Sequence, residues 1–494
     1  MKKQIKYILV FVILLTTGVA CKKEYLKPVP LTTVSDATAF DTPERILGNV
    51  RSLYANTKGS SFYGGRYIVY GDVRGEEFIN ETSNPVTASD VWNFSATGSS
   101  TNSVVNLWAQ AYYTINLCNN AIEGITAKGP TVVPTLTNNY LGEARFIRAL
   151  CYYSLLQLYA RPYADGAGSK PGLPLRLTAI KGPGYSDMAR SSVAQVYAQI
   201  IADLNFAEAN LPLNYTGATA AELNTTRAHR NTAIALKTRV YLSMQDYANV
   251  IAEANKIVSA GTTPPFTATS GVPHALQSNI ATVFSNYTTT ESILSFPMSS
   301  AAGDNPGTQN QLGFYFLRNL SNPGSAEFSL NPLGIIGDPG FQSTTDTRRT
   351  SLLFFNATTS KYFVNKYQQP SPFLDWIPVM RYSEVMLNLA EALARTNTAV
   401  DARALALVNT VRRRSESNPA IVITATTQAQ LINAIMLERR IEFLGEGLRN
   451  NDLMRLLQTI PAKGNIPAKA PSDQGYIWPI SGIEMSLNKL MTDN

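Results

Sequence analysis

The first side chains to test for chemistry are carboxylates that a helix would bring to one face. Glu384 and Glu391 lie seven residues apart in a segment with a helical pattern. A rise of about 1.5 Å per residue separates them by about 10.5 Å, beyond the range of about 6.5–9.5 Å that inverting glycosidases use. Pairing with arginine, or exposure to solvent, explains both residues better than catalysis. A second acidic cluster, formed by Asp72, Glu76 and Glu77, stays open as part of a hydrolytic site.

Other catalytic and metal-binding patterns are weak in this chain. Gly445-Glu446-Gly447 lacks the third glycine of a dinucleotide fingerprint and follows a helix, so it is typical of a helix C-terminus. His229 and His274 are 45 residues apart, with no cysteine cluster near either. The basic run at 412–414 lies on a predicted helix, where a solvated face or pairing with carboxylates is the ordinary role. No metal centre and no cofactor are predicted.

Aromatic side chains in irregular segments are the stronger candidates for function. Flat rings stack on the apolar faces of sugars or on peptide side chains, while amides and guanidinium groups bind hydroxyls and carbonyls. Packing within a loop layer is the alternative, and we expect it to account for most of these rings. The aromatic residues concerned are Tyr63, Tyr67, Tyr70, Trp92, Phe94, Phe314, Tyr315, Phe316 and Trp376.

Composition excludes several classes of protein. The 494 residues are 45% hydrophobic, which rules out disorder as the main theme, and only 16% charged, below the usual value of about 25%. The formal charge is +7, and subtracting Lys2, Lys3 and Lys6 of a predicted leader leaves 7 − 3 = +4. So small an excess predicts no nucleic-acid partner.

The N-terminus predicts export and lipid attachment. Residues 1–20 combine a basic start, the apolar run ILVFVILL and small residues, as secretory signals do. The run is far shorter than the ~18 residues of a membrane-spanning helix. Small residues leading into Cys21 resemble a bacterial lipobox, in which the cysteine becomes the acylated N-terminus; an ordinary signal with a chance cysteine is the alternative. Lys22-Lys23-Glu24 resembles an export tag of surface lipoproteins.

The other two cysteines, Cys118 and Cys151, lie in apolar helical segments. Packing is the favoured role, because free cysteine is among the most buried residue types. A disulfide between them stays possible in an oxidising compartment.

Helical patterns dominate residues 105–259. The segment 139–160 is apolar nearly all round, which predicts a helix buried inside a bundle. Residues 192–211 carry an apolar stripe, with Ser192 and Gln195 placed as a capping box and Pro212 as the stop. Residues 232–258 predict two helices broken near Gln245-Asp246, a loose match to the tetratricopeptide pattern.

The remaining segments complete this expectation. A first helix is predicted at 36–57, and further helices at 377–396, 401–415 and 428–444. Residues 260–375 have no helical period, and so long a stretch predicts a loop-rich layer packed on the helices. The fold class is therefore mainly α, with tetratricopeptide-like helix pairs (an α-α superhelix) and a loop-rich ligand-binding layer.

Several of these segments resemble, in order, those of SusD/RagB-family outer-membrane lipoproteins. The main ones are LWAQAYYTINLCNNAIEGI (107–125), GEARFIRALCYYSLLQLYARPY (142–163) followed by GLPL (172–175), DTRRTSLLF (346–354), MRYSEVMLNLAEALAR (380–395) and YIWPI (476–480). EGLRNND replaces the family's more usual EGHRWFD, and the usual Asn-Pro-Gly-Tyr ending is missing. These departures fall where helices are capped and the fold closes.

The resemblance implies four tetratricopeptide-like helix pairs and a lipoprotein on the outer face of the outer membrane. It implies a SusC-like TonB-dependent transporter as partner, for which the protein is a hinged lid, and an oligosaccharide ligand or, in some members, a peptide. It implies binding without catalysis and a membrane contact through the lipid anchor alone. Ligand residues of the family vary but usually lie in the loops, which points here to Arg74, Trp92, Asn93, Tyr315 and Trp376.

The predicted organisation is one body behind a removed leader. Its parts are a signal peptide (1–20), a lipidated tether (21–35), an N-terminal helical region (36–260) and a C-terminal region (261–494) that is loop-rich at 261–375, helical at 376–460 and closing at 461–494. The favoured function is capture of glycans for uptake. A glycan hydrolase, and a peptide-binding or scaffold lipoprotein of the same fold, are the alternatives.

Overall fold

The computed structural model describes residues 38–182, 184, 186–301, 303–317 and 326–494. The predicted signal peptide, Cys21 and the tether lie outside the described residues. Among the described residues, no helix combines the length and the apolar character that crossing a bilayer requires.

Helices provide most of the regular structure, and the strands are short. The helices are α1 (Pro43–Thr57), α2 (Arg66–Val73), α3 (Ser89–Trp92), α4 (Asn106–Val132), α5 (Thr137–Tyr159), α6 (Val193–Asn210), α7 (Ala220–Thr226), α8 (Arg230–Ser243), α9 (Tyr247–Ala254), α10 (Ile280–Ser285), α11 (Leu312–Phe316), α12 (Thr347–Thr350), α13 (Tyr382–Thr396), α14 (Ala402–Ser415), α15 (Gln428–Glu442), α16 (Arg449–Met454) and α17 (Gly482–Leu487). The strands are β1 (Phe78–Asn80), β2 (Ser292–Phe296), β3 (Phe328–Leu330), β4 (Leu353–Asn356), β5 (Lys361–Val364) and β6 (Ile377–Arg381).

The long helices pack in sequence, each against its neighbours. Helix α4 lies against α1 and α5, α5 against α6, and α6 against α8; α8 and α9 form a pair that continues through α13 to α14 and α15. This serial packing of helix pairs is the architecture that the sequence predicts, and it confirms the mainly α class.

Helix α5 is the centre of the N-terminal region. It is buried on all sides, as its uniformly apolar sequence predicts. Its charged exceptions are paired: Glu143 accepts hydrogen bonds from Arg227, and Arg148 donates two to Asp203 of α6, at 2.8 and 2.7 Å. Burial of these charges is tolerated because each has an opposite partner.

Local signals fix where several helices begin and end. Ser192 and Gln195 form the predicted capping box, each side chain accepting a hydrogen bond from the other's backbone nitrogen, and α6 ends at Asn210, before Pro212. Helices α8 and α9 break at Gln245, whose φ is +59°, and Asp246 caps α9. The predicted break near Gln245-Asp246 is confirmed.

The strands form three antiparallel pairs, β1 with β3, β2 with β6 and β4 with β5. Strand β6 corrects one prediction, because residues 377–381 were expected to begin the helix that runs to 396. Its pairing with β2 holds these residues extended, so α13 begins only at Tyr382. Pro378 also makes an unbroken helix from Ile377 unfavourable.

One buried ion pair joins α8 to α13, and others connect parts of the C-terminal region to one another. Arg239 of α8 donates two hydrogen bonds of 2.6 Å to Glu384 of α13, and Arg455 pairs with Glu391 at 2.7 Å. These contacts confirm that both glutamates are paired with arginine. In the basic run, Arg412 pairs with Glu438, while Arg414 pairs with Glu291 and Glu442.

Two further side-chain predictions, on the cysteines and on the glycines after α15, are tested by the fold. Cys118 and Cys151 are buried free thiols, so packing is their role. Gly445 and Gly447 follow α15 with φ of +83° and +79°, as the end of a helix requires. The described residues contain no group of three or more potential metal ligands.

Candidate functional site

A broad cleft, which we name the loop cleft, has a volume of about 1140 Å³. One wall is the loop that follows α3, the other is the segment before α17, and Arg161 and the C-terminal residues close it. It is lined by Phe94, Ser95, Ala96, Thr97, Gly98, Arg161, Lys469, Ser472, Asp473, Gln474, Gly475, Ile477, Pro479, Asp493 and Asn494.

The first wall is held by hydrogen bonds to its own backbone. The amide nitrogens of Ser95 and Ala96 both donate to the carbonyl of Asp90, and the Asn93 side chain accepts from Ser95 N at 2.9 Å. Phe94 has a φ of +61°, a conformation that the surrounding turn must hold in place. The half-buried ring of Phe94 is thereby fixed at the edge of the cleft.

The second wall approaches Phe94 closely at Gly475. This glycine has a φ of +87°, and a Cβ atom there would stand 3.1 Å from the Phe94 carbonyl oxygen. Asp473 stabilises the turn by accepting from Ala470 N at 2.8 Å, while its carbonyl accepts from Tyr476 N. Glycine therefore sets how closely the two walls meet.

Arg74 connects the two walls from beneath. Its guanidinium group donates to the carbonyls of Gly475 and Tyr476 at 3.1 and 2.6 Å and lies 5.3 Å from the centre of the Phe94 ring. Burial lowers the pKa of Arg74 to about 10. The buried arginine positions the cleft rather than facing it.

Lys463 supports the same loop from the other side. Its buried ammonium group donates to the carbonyls of Val73, Arg74 and Gly75, where α2 ends, and lies 4.5 Å from the centre of the Phe94 ring. Burial lowers the pKa of Lys463 well below its ordinary value. Carbonyls at a helix C-terminus attract a cation, so this lysine ties the loop to α2.

The surface of the cleft keeps free hydrogen-bonding capacity. Within the described part of the chain, no side-chain hydrogen-bond partner is recorded for Lys469, Ser472 or Gln474. The Lys469 ammonium lies 5.5 Å from the centre of the Phe94 ring. Amide, hydroxyl and ammonium groups in one cleft with an aromatic ring suit a ligand rich in hydroxyls.

The predicted ligand residues divide into two groups. Arg74, Trp92 and Asn93 support the base of the loop cleft; Trp92 is buried and donates from Nε1 to the Phe78 carbonyl at 2.8 Å. Tyr315 is fully buried with its ring stacked on Phe328, and Trp376 is 9% exposed against Tyr287.

None of these five predicted residues is among those that line the loop cleft. Ligand contacts by the five predicted residues stay predictions. Sequence reasoning missed the segment 469–475, although its Pro, Ser, Asp and Gly residues are typical of an exposed loop.

Asp72 and Glu77 of the acidic cluster considered for hydrolysis line a pocket of only about 10 Å³, which is too small to hold a sugar. Glu76 pairs with Arg449 and Glu77 with Arg440, at 2.8 Å for the second pair. Asp72 is buried, accepts a hydrogen bond of 2.9 Å from Gly447 N, and has its pKa raised by burial to about 8. These carboxylates are structural here.

The two histidines, 45 residues apart in the sequence, are close in space. Their rings stack with centres 5.4 Å apart, and His274 stacks in turn on Tyr382. Both are fully buried, and burial lowers the pKa of His229 to about 3 and that of His274 to about 4. They form a neutral pair in the core rather than a catalytic site.

Two smaller cavities lie elsewhere on the surface. The first, the helix groove, has a volume of about 610 Å³ between α4, α17 and the segment around residue 180. The second, the sheet pocket, has a volume of about 360 Å³ over β1 and β3. The sheet pocket is lined by Ile79, Glu81, Ser329, Leu330, Pro332, Ile336, Gly337, Ser360, Lys361 and Tyr362.

Comparison with protein families gives two matches in different parts of the chain. Residues 28–242 match the model of a family described as starch-binding and associating with the outer membrane. Residues 342–494 match the model described as the SusD family.

Individual relatives cover nearly the whole chain. SusD-like protein P38 of Formosa agariphila is 23% identical, over 97% of both chains. The crystal structure of a SusD superfamily protein from Bacteroides fragilis is 29% identical, with a TM-score of 0.79, over 92% of this chain and all of that one. A structure described as a laminarin-binding SusD-like protein is 19% identical, with a TM-score of 0.70, over 92% of this chain and 99% of that one.

Proposed function

Because the chain belongs to the SusD family, we propose that it is a nutrient-binding lipoprotein of the cell surface. It captures oligosaccharides in the loop cleft and passes them to a TonB-dependent outer-membrane transporter, as the lid of that transporter and without catalysis. The observation that carries the proposal is the loop cleft, which is lined by the half-buried ring of Phe94 together with the polar side chains of Lys469, Ser472 and Gln474. Similarity to a laminarin-binding protein supports a glucan as ligand.

A lid needs a ligand that favours its closed state. A glycan held between the loop cleft and the transporter would contact both only when the lid is closed, and this difference in contacts shifts the equilibrium toward closure. Weak binding is sufficient, because a tethered lid keeps its ligand next to the transporter at a high effective concentration. The Cys21 anchor would supply the tether, and membrane attachment that is lost in Cys21→Ser would support it.

The binding test uses two cleft variants and a matched control. We expect Phe94→Ala to weaken binding of laminarin or starch oligosaccharides about tenfold, and Gln474→Ala by less, through loss of a stacking surface and a hydrogen bond. Tyr113→Ala removes a half-exposed ring from the helix groove and should bind as the unmodified protein does. Titration calorimetry measures all three, and equal affinities would contradict the proposal.

Hydrolysis is the second candidate function, and one observation favours testing it. Asp473 and Asp493 both line the loop cleft. If the protein released shortened glycans, and Asp473→Asn or Asp493→Asn stopped that release, binding without catalysis would be wrong. Chromatography of laminarin and starch after long incubation gives the answer. Peptide capture is tested in the same calorimeter with a peptide mixture.

A further inference from the structure

The sheet pocket combines an apolar floor with a charged edge. Ile79 and Ser329 are directly opposed on β1 and β3, and Glu81, two residues after Ile79 and just past the end of β1, also lines the pocket. Leu330, Pro332 and Ile336 complete the lining. A small cavity with an apolar floor and a few polar groups is the usual form of a site for a compact ligand.

Tyr362, which lines this pocket, belongs to an aromatic pair on the β4–β5 hairpin. Phe355 and Tyr362 are directly opposed on β4 and β5, with ring centres 4.7 Å apart, and Phe355 is 48% exposed. Their hairpin neighbours Phe354 and Phe363 lie on the opposite face and pack against the small cluster that contains Leu317. The hairpin therefore presents one ring pair outward while the other pair anchors it.

The charged edge is incompletely satisfied. Lys361 donates one hydrogen bond, of 2.6 Å, to Glu81, and Glu81 also accepts from Ser329. Two further N–H groups of Lys361 have no recorded acceptor within the described part of the chain, nor does the Tyr362 hydroxyl have a recorded partner there. These groups can donate to and accept from hydroxyls beside the ring.

In the helix groove, by contrast, the polar side chains Asn116 and Arg176 already have hydrogen-bond partners within the protein. Asn116 there exchanges two hydrogen bonds with the backbone of Ile180, and Arg176 donates to Glu484 and to the Ser186 carbonyl. Its polar side chains already hold the groove together, and exposed Tyr113 and Leu487 make its open surface apolar. The sheet pocket is the better match for a sugar.

One turn, at 463–466, contacts lining residues of both the sheet pocket and the loop cleft. Lys463 and Ile466 close this turn with two backbone hydrogen bonds. A Cβ atom on Gly464 would stand 3.4 Å from Ile79, which lines the sheet pocket, and 3.5 Å from Trp92. Lys463 contacts Phe94 of the loop cleft, so the turn touches a lining residue of each cavity.

From this arrangement we propose that the sheet pocket is a second carbohydrate subsite, reached by a glycan that crosses the turn 463–466 from the loop cleft. This inference rests on the proposed function and adds to it a requirement for chain length. Short oligosaccharides occupy the loop cleft alone. Longer ones add stacking on Tyr362 and hydrogen bonds to Glu81 and Lys361, and the second contact raises affinity because it is intramolecular.

The test compares affinity against chain length in three variants. The probes are maltose to maltoheptaose, laminaribiose to laminarihexaose, soluble starch and laminarin. We expect Tyr362→Ala to weaken binding of the longest probes about five- to tenfold and to leave the shortest unchanged, whereas Tyr362→Phe keeps the ring and most of the affinity. Leu333→Ala removes an exposed apolar residue beside the pocket that does not line it, and should change nothing.

The outcomes separate this inference from the function on which it rests. If Phe94→Ala weakens all probes and Tyr362→Ala weakens none, the second subsite is wrong and the proposed function stands. If Tyr362→Ala weakens the binding of short and long probes equally, the pocket is not a separate subsite. The same holds if Leu333→Ala weakens the binding of the long probes as much as Tyr362→Ala does. If no probe binds the unmodified protein but a peptide does, both proposals fall. Unchanged melting temperatures show that each variant is folded.

Discussion

Replacing His229 by phenylalanine should change how the stability of this protein depends on pH. His229 and His274 are the two histidines of the whole sequence, and their stacked rings are buried together. Phenylalanine keeps an aromatic ring beside His274 but has no proton to gain. The variant therefore removes one of the two imidazoles and preserves the shape of the pair.

The size of the effect follows from the pKa values. An imidazole that titrates near 6.5 in the unfolded chain, but at about 3 for His229 when folded, takes up its proton only on unfolding between those values. Its stability contribution is therefore full above about pH 6.5 and is lost as the pH falls. Each pH unit below about 6.5 lowers the free energy of unfolding by about 1.4 kcal/mol, which gives a loss of about 2 kcal/mol per histidine at pH 5.

Other buried groups titrate in the same interval with the opposite sign. Burial raises the pKa of Asp72 to about 8 and that of Asp375 to about 7, so their folded forms take up protons as the pH falls and gain stability. The curve of the unmodified protein therefore sums opposing contributions. The difference between that curve and the curve of His229→Phe isolates the histidine.

Urea unfolding at pH 7 and pH 5 measures this difference. We expect the free energy of unfolding of His229→Phe, relative to the unmodified protein, to rise by about 2 kcal/mol between pH 7 and pH 5. Tyr382→Phe is the matched control: it keeps both imidazoles and loses the hydroxyl bond to the Ile257 carbonyl, so its offset should not depend on pH. If the free energy of unfolding of His229→Phe changed with pH by the same amount as that of the unmodified protein, the reasoning would be refuted.

Three further predictions concern the core and the loop cleft. The free energy of unfolding of Asp72→Asn, relative to the unmodified protein, should rise by about 1.4 kcal/mol for each pH unit from pH 5 to pH 8, because the variant lacks an ionisation that burial opposes. A difference that did not change with pH in urea unfolding would contradict this. Arg455→Met should lower the free energy of unfolding by about 3–5 kcal/mol, because it removes an ion-pair partner of the buried Glu391. An unchanged urea midpoint would contradict this. Gly475→Ala should cost about 1–3 kcal/mol through its positive φ and the approach to Phe94, and should weaken glycan binding; a neutral result in both assays would contradict the wall geometry.

Patterns of local origin were readable from the sequence. The stripe and capping box of α6, the buried helix α5 and the break at Gln245 all depend on residues within one or two helical turns. Strand β6 was missed because its extended form depends on pairing with β2, more than eighty residues earlier. Short apolar runs do not reveal such a partner.

The site was harder to predict for the same reason. Residue types marked Arg74 and Trp92 as ligand contacts, yet the fold buries both beneath the loop. What faces the cleft is decided by the approach of Gly475 to Phe94, a contact between residues 381 positions apart. A single sequence contains no sign of that approach, whereas the Pro- and Ser-containing segment near 472 did mark a surface loop.

The positions of the Arg74 partners in the sequence determine when, during synthesis, the loop cleft can form. The guanidinium group of Arg74 donates hydrogen bonds to Asn450, Gly475 and Tyr476. Tyr476 is 402 residues further along the chain. During synthesis the loop that carries Phe94 is made early, when Arg74 still lacks the carbonyls that it contacts in the folded chain. The loop cleft can therefore be complete only after the final segment has been made.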